Sequence, residues 1–124
     1  MAKILVVDDD ARNLRLAVAA LEQAGHEVLS AEGGAEGVEV ALAHAPDLVL
    51  MDVQMPGMDG VSARRRLRTE PRTAAIKVIA LTALAMKGDA ERLIKEGFDG
   101  YLEKPICYKE FLASVTALLA GKSQ

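Results

Sequence analysis

The sequence predicts a doubly wound α/β domain, a parallel sheet covered by helices on both faces. Three observations carry that expectation. Short β-rich runs alternate five times with longer stretches of helical period, the pattern that parallel strands joined by crossover helices produce. The first, third and fourth runs are apolar at every position, as strands buried on both faces should be. Capping and breaking residues fall at the joints between the two periods.

Each element follows in order. Ile4-Leu5-Val6-Val7 is the first strand, followed by a helix over about 11–24 that Asp10 can cap and Gly25 can end. Glu27-Val28-Leu29 is the second strand, and a helix over about 34–44 is broken by His44-Ala45-Pro46-Asp47. Leu48-Val49-Leu50-Met51 is the third strand; Asp59-Gly60 opens a helix over about 60–70, and Glu70-Pro71 closes it. Val78-Ile79-Ala80-Leu81 is the fourth strand, before a helix over about 86–96 ended by Gly97. Gly100-Tyr101-Leu102 is the fifth, leading into a helix over about 106–120. On the first helix Leu14, Val18 and Leu21 form one stripe, with Leu16 opposite as a candidate docking residue for a partner. On the last, Phe111, Val115 and Leu118 recur at helical spacing and read as core packing.

The 124 residues, 51% hydrophobic and 27% charged, fit one globular domain. After Ala120 only Gly-Lys-Ser-Gln follows, so the expectation is a single domain over 1–124 with no output domain. Fifteen basic against eighteen acidic residues leave a net charge of -3 and a pI near 5.4, which argues against direct nucleic-acid binding. Aromatics at 3% and no tryptophan remove most stacking platforms for single strands. The lone Cys107 cannot form an internal disulfide, and His26 and His44 are too far apart in sequence to suggest a ligand cluster. No apolar run approaches the ~18–20 residues of a membrane span, and the start is no signal peptide. A cytoplasmic protein with no membrane association is the expectation.

The chemistry lies where the strands end. In a doubly wound sheet, sites gather at the carboxyl ends of the strands, beside the point where strand order reverses. There the chain carries Asp8-Asp9-Asp10 after strand one, Asp52 after strand three, Thr82 after strand four and Lys104-Pro105 after strand five. Asp10 alone reads as a helix cap, and a lone threonine would mean little; the joint arrangement means more. Converging carboxylates repel one another, and a bound cation is the natural remedy. Hard oxygen ligands with positions left for water favour Mg²⁺, with Mn²⁺ as a substitute. A carboxylate beside such a metal can attack phosphorus and form an aspartyl phosphate, while a lysine and a hydroxyl stabilise the phosphoryl oxygens.

Four segments carry a resemblance. Val6-Val7-Asp8-Asp9, the stretch from Leu50 through Asp52 and Pro56 to Gly60, Leu81-Thr82-Ala83, and Tyr101-Leu102-Glu103-Lys104-Pro105 look like the response regulator receiver domain of two-component signalling, CheY-like and of the stand-alone type. The resemblance runs from about Lys3 to Leu119. Thr82 through Asp89 is further similar to DivK-type single-domain regulators. The resemblance implies a flavodoxin-like (βα)5 fold with strand order 2-1-3-4-5. It implies Asp52 as phosphoacceptor, and Mg²⁺ held by Asp9, Asp52 and the Gln54 backbone carbonyl, with Asp8 acting mostly through water. Thr82, the Ala83 backbone and Lys104 would bind the phosphoryl group, and the bond to Pro105 would be cis. Thr82 and Tyr101 would be the coupled switch, changing a surface of helix four, strand five and helix five whose candidate residues are Arg92, Lys95, Glu96, Tyr101, Glu103 and Tyr108. Gln54 and Leu84 would tune loss of the phosphoryl group. The donor would be a sensor histidine kinase or a histidine phosphotransfer protein, and the readout a downstream protein target. Such a chain is a phosphoacceptor that assists its own phosphorylation and dephosphorylation, not an enzyme acting on others.

Competing readings exist. A haloacid dehalogenase-type phosphatase would use Asp8 as nucleophile, with Asp8 and Asp10 as its D-x-D; Arg12 then stands where that family carries threonine or valine, and a cap domain has no room. A flavin carrier would need a hydroxyl-rich phosphate loop where three aspartates would repel the ligand. A receiver cut from a larger hybrid kinase or regulator is the remaining alternative. Arg64, Arg65, Arg66 and Arg68, with Arg72 nearby, read as a solvated basic face balancing the acidic pocket, or as a contact for an anionic partner.

Overall fold

Strand β1 (Lys3–Val7) is followed by α1 (Ala11–Gln23), β2 (Glu27–Ala31), α2 (Gly34–His44), β3 (Leu48–Asp52), α3 (Gly60–Thr69), β4 (Lys77–Thr82), α4 (Lys87–Lys95), β5 (Gly100–Glu103) and α5 (Tyr108–Leu119). The structure, a computed structural model, describes residues 2–53, 60–82, 87–103 and 108–119. All five strands are parallel, in the order β2-β1-β3-β4-β5, as the resemblance implies.

Alternation along each strand sorts side chains between two cores. Leu5, Val7, Val49, Met51, Val78 and Ala80 pack against α2, α3 and α4 through Val38, Ala41, Ala63, Leu67 and Leu93. Ile4, Val6, Leu48, Leu50, Ile79 and Leu81 pack against α1 and α5, whose Leu14, Leu21, Phe111, Val115 and Leu118 are buried. The period-two pattern of an all-apolar strand is invisible in sequence, because both faces want the same residue types. Each fully buried Leu, Ile or Val contributes about 1.5–3 kcal/mol relative to exposure, and β1, β3 and β4 are where those residues concentrate.

Helix ends follow local chemistry. The Asp10 side chain accepts from the N–H groups of Arg12 at 2.9 Å and Asn13 at 3.2 Å, capping α1. At the other end Gly25 takes φ +92°, and the His26 N–H donates to the Leu21 carbonyl while that of Gly25 donates to Glu22, a Schellman closure. Gly97 ends α4 in the same way at φ +102°, with Phe98 bonded back to Leu93 and both side chains buried together. Helix α2 ends differently, on Ala45 at φ 47° and ψ 63°, immediately before Pro46. Proline keeps its predecessor out of the right-handed helical region, and the turn is completed left-handed by a residue with a Cβ. Ala45→Gly is therefore expected to raise stability by about 0.5–1 kcal/mol, read as a higher urea midpoint at unchanged slope.

The strands run further than the apolar runs suggest. β3 includes Asp52 and β4 includes Thr82, because the ladder continues through Asp52 opposite Leu81 and Thr82 opposite Glu103. Helix α3 stops at Thr69, and the wholly buried Thr73 donates its hydroxyl to the Leu67 carbonyl at 2.6 Å. Among the described residues no helix is long and apolar enough to cross a membrane.

Candidate functional site

The chain leaves β1 outward to β2 and then crosses back past β1 to β3, so strand order reverses between β1 and β3. That reversal opens a crevice at the carboxyl ends of these two strands. Val7 lies opposite Met51, so the next residue of each chain, Asp8 and Asp52, emerges at the same edge. Asp8 is held in the sheet by its N–H, which donates to the Ala31 carbonyl at 3.1 Å. Its carboxylate accepts from the Asp10 N–H at 2.9 Å, closing the turn into α1.

Carboxylate oxygens of Asp8, Asp9 and Asp52 all lie within 4.8 Å of one another. Asp8 and Asp52 are buried, at 1% and 5% exposure, while Asp9 is open to solvent. Such a set suits a hard divalent cation. Octahedral ligands at about 2.0–2.1 Å from one ion stand about 2.9 Å apart when adjacent and about 4.1 Å when opposite, so a shared ion would draw these side chains closer together. The donors are oxygen alone, unlike the imidazole and thiolate sets that zinc or copper prefer. Exposure of Asp9 leaves the outer side of the cluster open to water. The acidic group can thus hold a metal at an edge where a substrate can approach.

Thr82 is buried at 5% exposure and stands one residue beyond Leu81, the ladder partner of Asp52. Tyr101 is partly exposed and packs against the core on the α4 side. It pairs with Ala80, two residues before Thr82 on the same face of β4. Thr82 and Tyr101 are therefore diagonal neighbours on one face of adjacent strands.

Gln54, Ala83, Leu84, Lys104 and Pro105 lie outside the described residues, as do the side chains of Glu103 and Tyr108. Of the other candidate surface residues, Arg92 and Lys95 are exposed and Glu96 is partly so. Leu16 is 57% exposed on α1, opposite the buried Leu14 and Leu21.

Two features escaped sequence reading. Gly60, read only as a helix opener, is buried against the backbone of Asp52 and Val53: its N–H donates to the Val53 carbonyl at 3.2 Å, and a Cβ there would meet the Asp52 carbonyl oxygen. A glycine at a helix start is the only signal the sequence offers for it. The α3 arginines are the other. Arg65 pairs with Glu96 at 2.9 Å and Arg68 with Asp99 at 3.0 Å, so two of them have acidic partners within the fold, while Arg65, Arg66 and Arg72 remain exposed as a solvated face.

The edge so built combines a doubly wound sheet, a buried acidic pair and a hydroxyl on the next strand. These features define a flavodoxin-like domain with an acidic pocket that can hold a divalent metal at the strand-order reversal. The profile of the response regulator receiver domain family matches residues 4–116, and the chain belongs to that family, the receivers of two-component signalling. It is 41% identical over 121 residues to Protein PilH of Pseudomonas aeruginosa, covering 98% of this chain and 100% of that protein. It is 35% identical over 116 residues to the polar-differentiation response regulator DivK of Brucella anthropi, covering 94% of each. Among solved structures it resembles the chemotaxis response regulator CheY4 of Vibrio cholerae with a TM-score of 0.89 at 27% identity, covering 95% of this chain and 98% of that one. A putative response regulator from Chloroflexus aurantiacus matches with a TM-score of 0.89 at 31% identity, over 96% and 98% of the two chains. The phosphatase alternative finds no support. Asp10, the second acid of its D-x-D, is engaged as the cap of α1.

Proposed function

We propose that the chain takes a phosphoryl group onto Asp52 from a phosphohistidine of a sensor kinase or phosphotransfer protein, and that this switches its contacts with a downstream protein target. The observation that carries the reading is the trio Asp8, Asp9 and Asp52 gathered within 4.8 Å at the strand-order reversal, with buried Thr82 on the strand alongside. Bound Mg²⁺ would offset the charge of the incoming phosphoryl oxygens. Asp9 and Asp52 would hold the ion directly and Asp8 would act mostly through water, as the family resemblance implies; the Asp8 carboxylate is fixed by the Asp10 N–H.

An Asp52 oxygen attacks phosphorus, the P–N bond to the donor imidazole breaks, and the imidazole leaves with the bonding pair. In the return step water attacks phosphorus, the acyl P–O bond breaks, and inorganic phosphate departs with the Asp52 carboxylate restored. The chain accepts the phosphoryl group in the first step and gives it up to water in the second, so Asp52 is nucleophile and then leaving group. Thr82 supplies a hydroxyl toward the phosphoryl oxygens, and Lys104, next in sequence after β5, supplies a cation. Gain of about -1.5 to -2 charges shifts the protein between two conformations. Tyr101, diagonal to Thr82, carries the change to the α4–β5–α5 surface. The family's setting favours the cytoplasm.

Borohydride reduction places the modification. After incubation with acetyl phosphate and Mg²⁺, an acyl phosphate is reduced to an alcohol with loss of phosphate, leaving homoserine. Peptide mass spectrometry is expected to find homoserine at position 52. Homoserine at position 8 or 9 instead would overturn the assignment.

A further inference from the structure

The α3 arginines meet the end of α4 at three points. Arg65 donates to the carboxylate of Glu96, the residue just after α4, at 2.9 Å. The Arg64 guanidinium lies against Gly97, where any Cβ would strike it. Arg68 reaches furthest: its Nη2 donates to Asp99 Oδ2 at 3.0 Å, and its Nη1 donates to the Ala74 carbonyl at 2.5 Å. Asp99 Oδ2 also accepts from the Val78 N–H at 2.8 Å, and the Asp99 N–H donates to the Val78 carbonyl at 2.9 Å. One connected network therefore ties α3, the α3–β4 turn, the start of β4 and the α4–β5 junction. Burial, and then the neighbouring Arg68, hold the Arg64 guanidinium below the ordinary arginine value, with Asp99 opposing.

The network sits at one end of α4 only. Glu96, Gly97 and Asp99 follow the C-terminal end of the helix and precede β5. The other end, at Lys87, is the end that comes after β4 and Thr82 in the chain.

We propose that the Arg64, Arg65 and Arg68 clamp makes the C-terminal end of α4 the fixed pivot of the switch, so that activation displaces the Lys87 end of the helix while Glu96 to Asp99 stay bound to α3. This deepens the switching role proposed above and rests on it. The clamp confines the change to the half of the surface nearest Thr82 and Tyr101. Loosening it spreads the change along the whole helix and weakens the coupling between phosphorylation and surface.

Amide hydrogen exchange and chemical shifts resolved by NMR, with and without beryllofluoride and Mg²⁺, test the pivot. In the native protein the amides from Lys87 to Glu91 and at Tyr101 are expected to shift. Those of Gly97, Asp99 and Val78 should keep their exchange rates within about twofold. The double variant Arg65→Gln/Asp99→Asn removes one charge from each ion pair and keeps a side-chain oxygen to accept from the Val78 N–H. It is expected to speed exchange at Gly97 and Val78 by about fivefold and to extend the beryllofluoride response to them. Charge reversal, Arg65→Glu with Glu96→Arg, should keep the native pattern. Equal responses at both ends of α4 in the native protein, or no spread in the double variant, would overturn the pivot. A native protein that gains no phosphoryl mass from acetyl phosphate would overturn the switching role itself, and intact mass separates the two failures.

Discussion

Asp8→Asn is expected to raise the melting temperature in EDTA and to abolish most of the stabilisation that Mg²⁺ gives the native protein. Three carboxylates within 4.8 Å repel one another. At that spacing each pair costs about 3–4 kcal/mol at an effective dielectric of about 20, and the solvent around exposed Asp9 reduces this considerably. Removing the Asp8 charge eliminates two of the three repulsions. Asparagine retains an oxygen to accept from the Asp10 N–H, the bond of 2.9 Å, so the turn into α1 survives. A net gain of about 1–2 kcal/mol is expected without metal, or about 4–8 °C for a domain of this size. Mg²⁺ stabilises the native protein because it binds the folded cluster and not the dispersed carboxylates of the unfolded chain. Parallel thermal melts with Mg²⁺ and with EDTA check both arms. A variant less stable in EDTA, yet still strongly Mg²⁺-responsive, would show that repulsion does not govern this cluster.

Gly60→Ala is expected to damage both stability and chemistry. The added methyl would meet the Asp52 carbonyl oxygen and stand 2.9 Å from the Val53 Cα. Both are backbone atoms of a buried strand end and cannot yield as a flexible side chain would. Forcing α3 away from β3 costs about 1–3 kcal/mol as overpacking, which a urea denaturation midpoint will report. The larger effect falls on Asp52, whose own peptide unit is the obstacle. A displacement near 1 Å of a reacting group lowers rates by about a hundredfold. Phosphoryl gain from acetyl phosphate, followed by mass spectrometry below the melting transition, is expected to slow by that order. Gly37→Ala offers the contrast. Its Cβ would press on Val7 Cγ2 at 2.8 Å, a side-chain contact, so it should affect stability while largely sparing the rate.

Much of this was legible in the sequence because local chemistry and global fold agree. Asp10, Gly25 and Gly97 mark helix ends that the structure closes through those same residues. The apolar runs of β1, β3 and β4 are wholly buried, and Phe111, Val115 and Leu118 are core. Asp8, Asp9 and Asp52 were picked out as strand-end residues, and strand order brings them together. Strand ends were less legible. Asp52 and Thr82 look like the first loop residues, yet the backbone ladder includes them, because hydrogen bonding between parallel strands does not depend on side-chain polarity. Contacts between elements distant in sequence were not legible at all. Nothing local links Arg65 to Glu96 or Arg68 to Asp99, 31 positions apart in each case, and a run of arginines reads as a solvated face until a neighbouring helix is placed beside it. The close approach of Gly60 to Asp52 is of the same kind, a consequence of how α3 returns to the end of β3.

The central claim is that Asp52 accepts a phosphoryl group with help from a metal held at the Asp8, Asp9 and Asp52 cluster. Intact mass after incubation with acetyl phosphate, with and without Mg²⁺, tests it most directly on the native protein and Asp52→Asn. The expected result is a Mg²⁺-dependent gain of one phosphoryl group that the substitution abolishes. A gain independent of Mg²⁺, or one that persists in Asp52→Asn, would contradict the account.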